Sequence, residues 1–290
     1  MTVLELETPY SFLRDEAKTR ETVSQVISVW GSAGSGKSFV AINLAFELAN
    51  QGSEVLLVDM DNRRPSIAAI LALTEAGPGL TAVTRLGRQS RLNLDEIKRL
   101  SAEIKFGKYS LDVLTGLNYP NRWPEMDQAG LAALLEIARS HYAFVILDLN
   151  DELEHGLVSM RSEADRNYAT RWAIENSDTT LGIFNADPVG INRFLFDIRE
   201  IGRDYWPVAN MVDTAKLGRN PERELRQMLH QAGRLDPKAI LPLDRAAADR
   251  QLLKGKPLLL HGSSSKLGNA LHLLSLDLRD SGARLLNSEE

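Results

Sequence analysis

The stretch Gly31-Ser32-Ala33-Gly34-Ser35-Gly36-Lys37-Ser38 lies between two different apolar patterns. Before it, Val26-Ile27-Ser28-Val29-Trp30 has the length and composition of a buried strand. After it, Phe39 to Asn50 carries apolar residues at helical spacing, with Val40, Leu44 and Leu48 beside Ala41, Ala45 and Ala49, and Gly52 as a stop. The spacing G-x-x-x-x-G-K-S, with Gly31 as its first glycine, is met without a mismatch. The N–H groups of Gly34, Ser35, Gly36 and Lys37 can turn inward around a phosphate. Glycine permits that backbone, and the start of the helix adds its dipole. Lys37 then neutralises the outer phosphates of a nucleotide, and the hydroxyl of Ser38 offers a ligand to magnesium. A Gly/Ser-rich turn that only caps a helix is the plainer alternative. The full motif between a strand and a helix favours a phosphate-binding loop, or P-loop.

Outward from this loop the same alternation continues. Val55 to Val58, Leu111 to Leu114, Ala143 to Leu147, Leu181 to Phe184, Val208 to Val212 and Ala239 to Leu241 read as further strands, separated by longer amphipathic stretches. Continuous apolar strands between helices predict an α/β fold: a doubly wound, mostly parallel sheet with helices on both faces. Ligands in such sheets bind at the carboxyl ends of the strands. No composition break divides the chain, so residues 23–285 are expected to form one domain after an N-terminal extension over 1–22. The last five or so residues are expected to fray.

Bulk properties narrow the function. With 290 residues, 43% of them hydrophobic and 25% charged, the chain can bury a large core unaided. It has no cysteine, so disulfides, thiolate nucleophiles and Cys-held metals are excluded. A net charge of −5 gives no general attraction to nucleic acid or anionic lipid. The N-terminus lacks the basic-then-apolar layout of a signal peptide, and no apolar run is long enough to span a bilayer. The expected location is the cytoplasm. Five scattered histidines form no metal-binding spacing.

Acidic residues stand where a phosphate site needs them. Asp59 and Asp61 follow the second strand, and Asp148 ends the strongest of the later strands in the position of a Walker B aspartate. Magnesium takes few protein ligands and keeps several waters, so Ser38 and Asp148 can hold it. Asp61 is free to orient an attacking water or to help hold the metal. For any one of these aspartates, a helix cap or a solvated turn is the alternative. For Asp151 and Glu152 the choice between a switch-loop role and solvation stays open.

From Val26 to Leu73 the chain resembles the MinD/ParA group of P-loop ATPases, which implies a P-loop NTPase fold of the SIMIBI type and use of ATP and magnesium. The resemblance rests on the P-loop, on Ser38-Phe39-Val40-Ala41-Ile42-Asn43-Leu44-Ala45 and on Val55-Leu56-Leu57-Val58-Asp59-Met60-Asp61. Leu114-Thr115-Gly116-Leu117, Arg122-Trp123-Pro124-Glu125, Arg166-Asn167 with Ala169-Thr170, and Ala186-Asp187-Pro188-Val189-Gly190 look like the CpaE/TadZ branch, linked to pilus assembly and to pole or septum placement. Leu241-Pro242-Leu243-Asp244 and Gly255-Lys256-Pro257 resemble the closing adenine-side segment. The resemblance implies that Asn210 reads the adenine edge and that Pro242 and Asp244 belong to the loop packing on the base. It departs at Ser32, where the group carries a signature lysine that reaches the partner subunit's phosphates. Serine brings no charge, which removes the usual argument for an ATP-locked homodimer and for hydrolysis driven by it.

The leading expectation is a slow ATPase acting as a nucleotide-gated positioning or assembly switch for a pilus, septum or partitioning machine, with a protein partner from that machine. One rival is a P-loop bacterial tyrosine kinase, because Asp59-Met60-Asp61-Asn62-Arg63, then Arg64-Pro65-Ser66, looks like that family's second motif. Such kinases usually carry a C-terminal tyrosine cluster, and here the last tyrosine is Tyr205. Another rival is an ATP-binding scaffold without turnover. Arg219, Arg223 and Arg226 read as a solvated helix face rather than a DNA-binding stripe, and Ala270 to Leu278 reads as a packed terminal helix rather than a membrane anchor.

Overall fold

The computed structural model describes residues 3–6, 24–74, 76–153, 165–201, 205–233, 235–261 and 265–286. The expected frayed end at 287–290, and the expected extension apart from residues 3–6, lie outside the described residues. The strands are β1 (Val3–Leu6), β2 (Gln25–Gly31), β3 (Val55–Met60), β4 (Ala102–Phe106), β5 (Tyr109–Leu114), β6 (Phe144–Leu149), β7 (Thr179–Asn185), β8 (Trp206–Val212) and β9 (Ala239–Pro242). The helices are α1 (Lys37–Asn50), α2 (Ile67–Ile70), α3 (Gly79–Arg88), α4 (Leu94–Leu100), α5 (Gln128–Arg139), α6 (Tyr168–Glu175), α7 (Pro188–Asp197), α8 (Thr214–Leu217), α9 (Pro221–Gly233), α10 (Arg245–Lys254) and α11 (Lys266–Leu286).

The strands form one sheet in the order β1-β4-β5-β3-β6-β2-β7-β8-β9. Every neighbouring pair is parallel except the β4–β5 hairpin. All seven expected strands are present, and β1 and β4 are additions. The chain leaves β2 towards β3 on one side, returns to insert β6 between them, and then crosses to β7 on the other. The order reverses around β2, so the crevice that such a reversal opens lies at the end of β2, where the P-loop begins.

Alternation along the strands divides the core. Val26 and Trp30 of β2, Leu56 and Val58 of β3, and Val145 and Leu147 of β6 face one way, against α3, α5, α6, α7 and α9. Ile27 and Val29, Val55 and Leu57, and Phe144 and Ile146 face the other way, against α1 and α11. Each such side chain, buried completely, contributes about 1.5–3 kcal/mol. Asp59 and Asp148 continue the second row by the same period of two. Both therefore point to the face that carries the start of α1.

The expected packed terminal helix is present. Leu267, Leu271, Leu274 and Leu278 of α11 are buried against the α1 side of the core. Among the described residues, no helix is long and apolar enough to cross a membrane.

Candidate nucleotide site

The loop from Gly31 to Ser38 is shaped by its glycines. Gly34 and Gly36 hold φ of 76° and 85°, the left-handed region that L side chains resist. Gly36 is the N-cap of α1, and its lack of a side chain leaves the first N–H groups of the helix available to an anion. Gly31 is fixed by crowding instead. A Cβ there would stand 2.2 Å from the carbonyl oxygen of Ile183 on β7 and 2.7 Å from Ser35 Oγ. Gly31→Ala is expected to push the loop off β7, costing roughly 1–3 kcal/mol of stability. Thermal melting checks this, and an unchanged midpoint would count against the packing described.

Asn210, at the end region of β8, lies directly beneath the loop. Its Nδ2 donates to the Ser35 carbonyl at 2.8 Å, and its Oδ1 accepts from the N–H of Met211 at 2.9 Å. The amide is thus a strap on the P-loop, with one donor committed to the loop backbone. The neighbouring Met211 has φ of 58°, a conformation rare for a residue with a side chain. Pro242 ends β9, and Asp244 caps α10 by accepting from the Ala247 N–H at 2.9 Å. The segment that follows β9 is docked onto α1 by a residue the sequence did not single out. Asn43 donates to Gln251 Oε1 and accepts from the Leu258 N–H, both at 2.8 Å. A polar residue inside an otherwise apolar helical face was the available signal.

The expected catalytic residues converge. Lys37 Nζ stands 3.6 Å from Asp61 Oδ2, with side-chain exposures of 12% and 6%. Asp61 Oδ1 accepts from the N–H groups of Arg63 and Arg64 at 2.9 and 2.8 Å, which folds the segment after β3 into a tight turn. Asp59 Oδ2 accepts from the N–H groups of Ser66 and Ile67, tying the same turn to α2. Asp59 and Asp148 are register partners across the β3–β6 ladder. Asp148 is completely buried, and neither of its oxygens has a hydrogen-bond partner among the described residues.

Burial pushes the Asp148 pKa well above the usual carboxylate range, and the nearby Asp59 charge pushes it further. Lys37 and the Ser38 hydroxyl pull it down. Burial likewise raises Asp59 to about 7, against the hydrogen bonds it accepts from Ile67, Asp61 and Ser66. A buried carboxyl with no hydrogen bond of good geometry among the described residues, beside a serine hydroxyl and a lysine at the mouth of a phosphate loop, fits the donor set of a magnesium ion and its waters.

Beyond these carboxylates, three loops are tied together. Asn150 Nδ2 donates to Asn62 Oδ1 at 2.9 Å, and Asn62 Nδ2 donates to the Arg166 carbonyl at 2.6 Å. Arg166 Nη2 returns a bond to the Asn62 carbonyl at 2.9 Å. Arg63 reaches Asn167 Oδ1 at 3.1 Å and pairs with Glu152 at 2.5 Å. The segment after β5 closes against the same turn, since a Cβ on Gly116 would lie 2.7 Å from Pro65 Cβ and 3.1 Å from the Asp59 carbonyl oxygen.

Residues 26–243 match the family model described as the CobQ/CobB/MinD/ParA nucleotide binding domain. The chain belongs to this family. Solved structures agree on the fold. A ParA family ATPase from Chlorobium tepidum TLS superposes with a TM-score of 0.70 at 18% identity, covering 87% of this chain and 99% of that one. The cell division ATPase MinD of Pyrococcus furiosus gives 0.62 at 17% identity, over 89% and 99%. A septum site-determining MinD of Pyrococcus horikoshii OT3, complexed with Mg-ADP, gives 0.62 at 16% identity, over 88% and 96%. A search of curated proteins finds no match. For a MinD/ParA-type nucleotide-binding domain, Lys37, Ser38, Asp61 and Asp148 occupy one connected site. Asn210 supports its floor, and Pro242 and Asp244 lie on the segment that Asn43 docks.

Proposed function

We propose that this chain binds magnesium-ATP at the Gly31–Ser38 loop, hydrolyses it slowly, and acts as a nucleotide-gated positioning or assembly switch. The observation that carries this reading is the buried Asp148 carboxyl, with no well-formed hydrogen bond among the described residues, set beside Ser38 and Lys37. The loop amides of Gly34 to Lys37 hold the phosphates, and Lys37 leaves Asp61 to neutralise the outer two. Ser38 and Asp148 hold magnesium, which when bound supplies charge neutralisation between those phosphates. Asp61, released from Lys37, orients the attacking water or shares in holding the metal. Asn210, Pro242 and Asp244 form the base side.

In this reading one ATPase domain spans residues 23–285. The client is a pilus, septum or partitioning machine in the cytoplasm, and a protein partner recruits the chain to a pole or membrane. The turns after β3 and β6 form the surface that responds to the outer phosphate. Ser32 favours a second reading, a scaffold that binds ATP without turning it over and does not lock into a homodimer. Calorimetric titration of magnesium-ATP tests the binding that both readings share, and the absence of heat in the purified protein would defeat both. Phosphate release then separates them: steady turnover supports the switch, and binding without release supports the scaffold.

A further inference from the structure

We propose that the Asn62–Asn150 amide bridge is a positioning device that holds the Asp61 and Asp148 segments at the separation a magnesium–nucleotide needs. This deepens the magnesium-ATP reading above and rests on it.

The β3–β6 ladder ends at Met60 and Leu149. Past that pair no strand pairing holds the two segments together. Three acidic side chains crowd this end: Asp59 and Asp148 face each other across the ladder, and Asp61 follows Asp59 by two residues and meets Lys37. Asn62 and Asn150 begin just beyond. Both are completely buried, and they are joined side chain to side chain at 2.9 Å.

The remaining polar atoms of the pair are also used. Asn62 Nδ2 donates to the Arg166 carbonyl, and Asn150 Oδ1 accepts from the Glu152 N–H at 2.8 Å. Donors and acceptors therefore align in one direction, from Glu152 through both amides to Arg166. Such a chain fixes distance and orientation together. Two neutral amides do this without adding charge to a site that already holds three carboxylates and one lysine. For stability alone an apolar pair would serve as well, because a buried amide gains little over the water it gave up. What the amides add is a defined geometry, as groups behind the ligands of a metal site do.

The test is calorimetric titration of ATP with magnesium and again with a chelator, on the parent, Asn62→Ala, Asn150→Ala and the double variant. Asn150→Leu is added because it keeps the volume and removes the bond, should Asn150→Ala fail to fold. In each variant the gain in affinity that magnesium confers is expected to fall about tenfold or more. Affinity in the chelator should stay within about twofold of the parent, and the double variant should lose no more than either single one. Variants that keep the parent's full magnesium gain overturn the bridge alone. So do losses that appear equally in the chelator, which mark a structural role only, and losses that add in the double variant. A parent that gains nothing from magnesium overturns the site reading and this proposal together.

Discussion

Under the magnesium-ATP reading, Lys37→Ala is expected to lower the affinity for magnesium-ATP roughly a hundredfold while the chain stays folded. The ammonium is a mobile charge at the mouth of the loop, 3.6 Å from Asp61 in the ligand-free protein. When a nucleotide arrives, that charge transfers from one carboxylate to the outer phosphates. A charge-assisted contact of this kind, largely shielded from water, contributes about 1.5–3 kcal/mol, or up to roughly a hundredfold in binding. The fold tolerates the change because Asp61 keeps the two backbone N–H groups of Arg63 and Arg64 on its other oxygen. Removing the ammonium also removes a group that pulls the Asp148 pKa down, so the metal side becomes harder to ionise. Titration of the variant beside the parent, with circular dichroism to establish folding, checks the effect. An affinity within about threefold of the parent, under 1 kcal/mol, would mean the phosphates lie elsewhere.

Asp148→Asn is expected to make the ligand-free protein more stable and to abolish the magnesium-dependent part of binding and turnover. The parent carries a fully buried carboxylic acid whose ionised form only the Lys37 charge and the Ser38 hydroxyl favour, against burial and the Asp59 and Asp61 charges. Replacing it with a neutral amide of the same shape removes the cost of ionising a buried acid near neutral pH, roughly 1–3 kcal/mol, which for a chain of this size raises the melting midpoint by a few degrees. The gain should depend on pH. The unfolded chain releases these protons near the ordinary carboxylate value, whereas folded Asp59 holds its proton to about 7 and Asp148 is raised by the same burial. Between those values the folded state binds more protons, so the pair's contribution to stability is present at low pH and is lost as pH rises towards 7. In the Asp148→Asn variant one of the two groups no longer titrates, and Asp59 loses a like-charged neighbour. Melts from about pH 4 to pH 8 should then show a shallower decline than in the parent. A variant that melts lower than the parent at neutral pH would show that the native carboxylate is stabilised where it stands.

Much of this architecture could be read from the chain because the buried strands are continuous apolar runs. β2, β3 and β6 lie inside the sheet and need no alternation. β4 escaped notice for the opposite reason. It reads Ala-Glu-Ile-Lys-Phe, with Glu103 and Lys105 facing outward and paired at 3.4 Å, and it reaches the sheet through a tight turn in which Gly107 takes φ of 58°. A short strand near a sheet edge looks like an ordinary polar segment until its partner is known. β1 fell within residues expected to be an extension.

In the site, Lys37, Ser38, Asp61 and Asp148 were legible because each follows a strand or opens a helix in a known spacing. Asn62 and Asn150 were not, since a single asparagine after a strand is commonplace and the two lie 88 positions apart. Asn210 was read from a family pattern, but its bond to the Ser35 backbone depends on β8 lying one strand beyond β7, which only the topology supplies.

The two sides of the site differ in mechanical compliance. Helix α1 is clamped along its length: its residues from Val40 to Ala49 are buried, and α11 crosses it with Glu47 bonded to His272 and Gln51 bonded to Ser275 and Arg279. Apolar packing of that kind gives way only by unfolding. The opposite wall, made of the turns after β3 and β6, is fixed at its base by the buried Asn62–Asn150 bridge, but its outer edge is held by the half-exposed Arg63–Glu152 pair, which can be exchanged with solvent. A force applied at the phosphates is therefore met by a rigid anvil on one side and a yielding wall on the other. Motion leaves the site through the outer edge of those turns, where Arg63 and Glu152 meet.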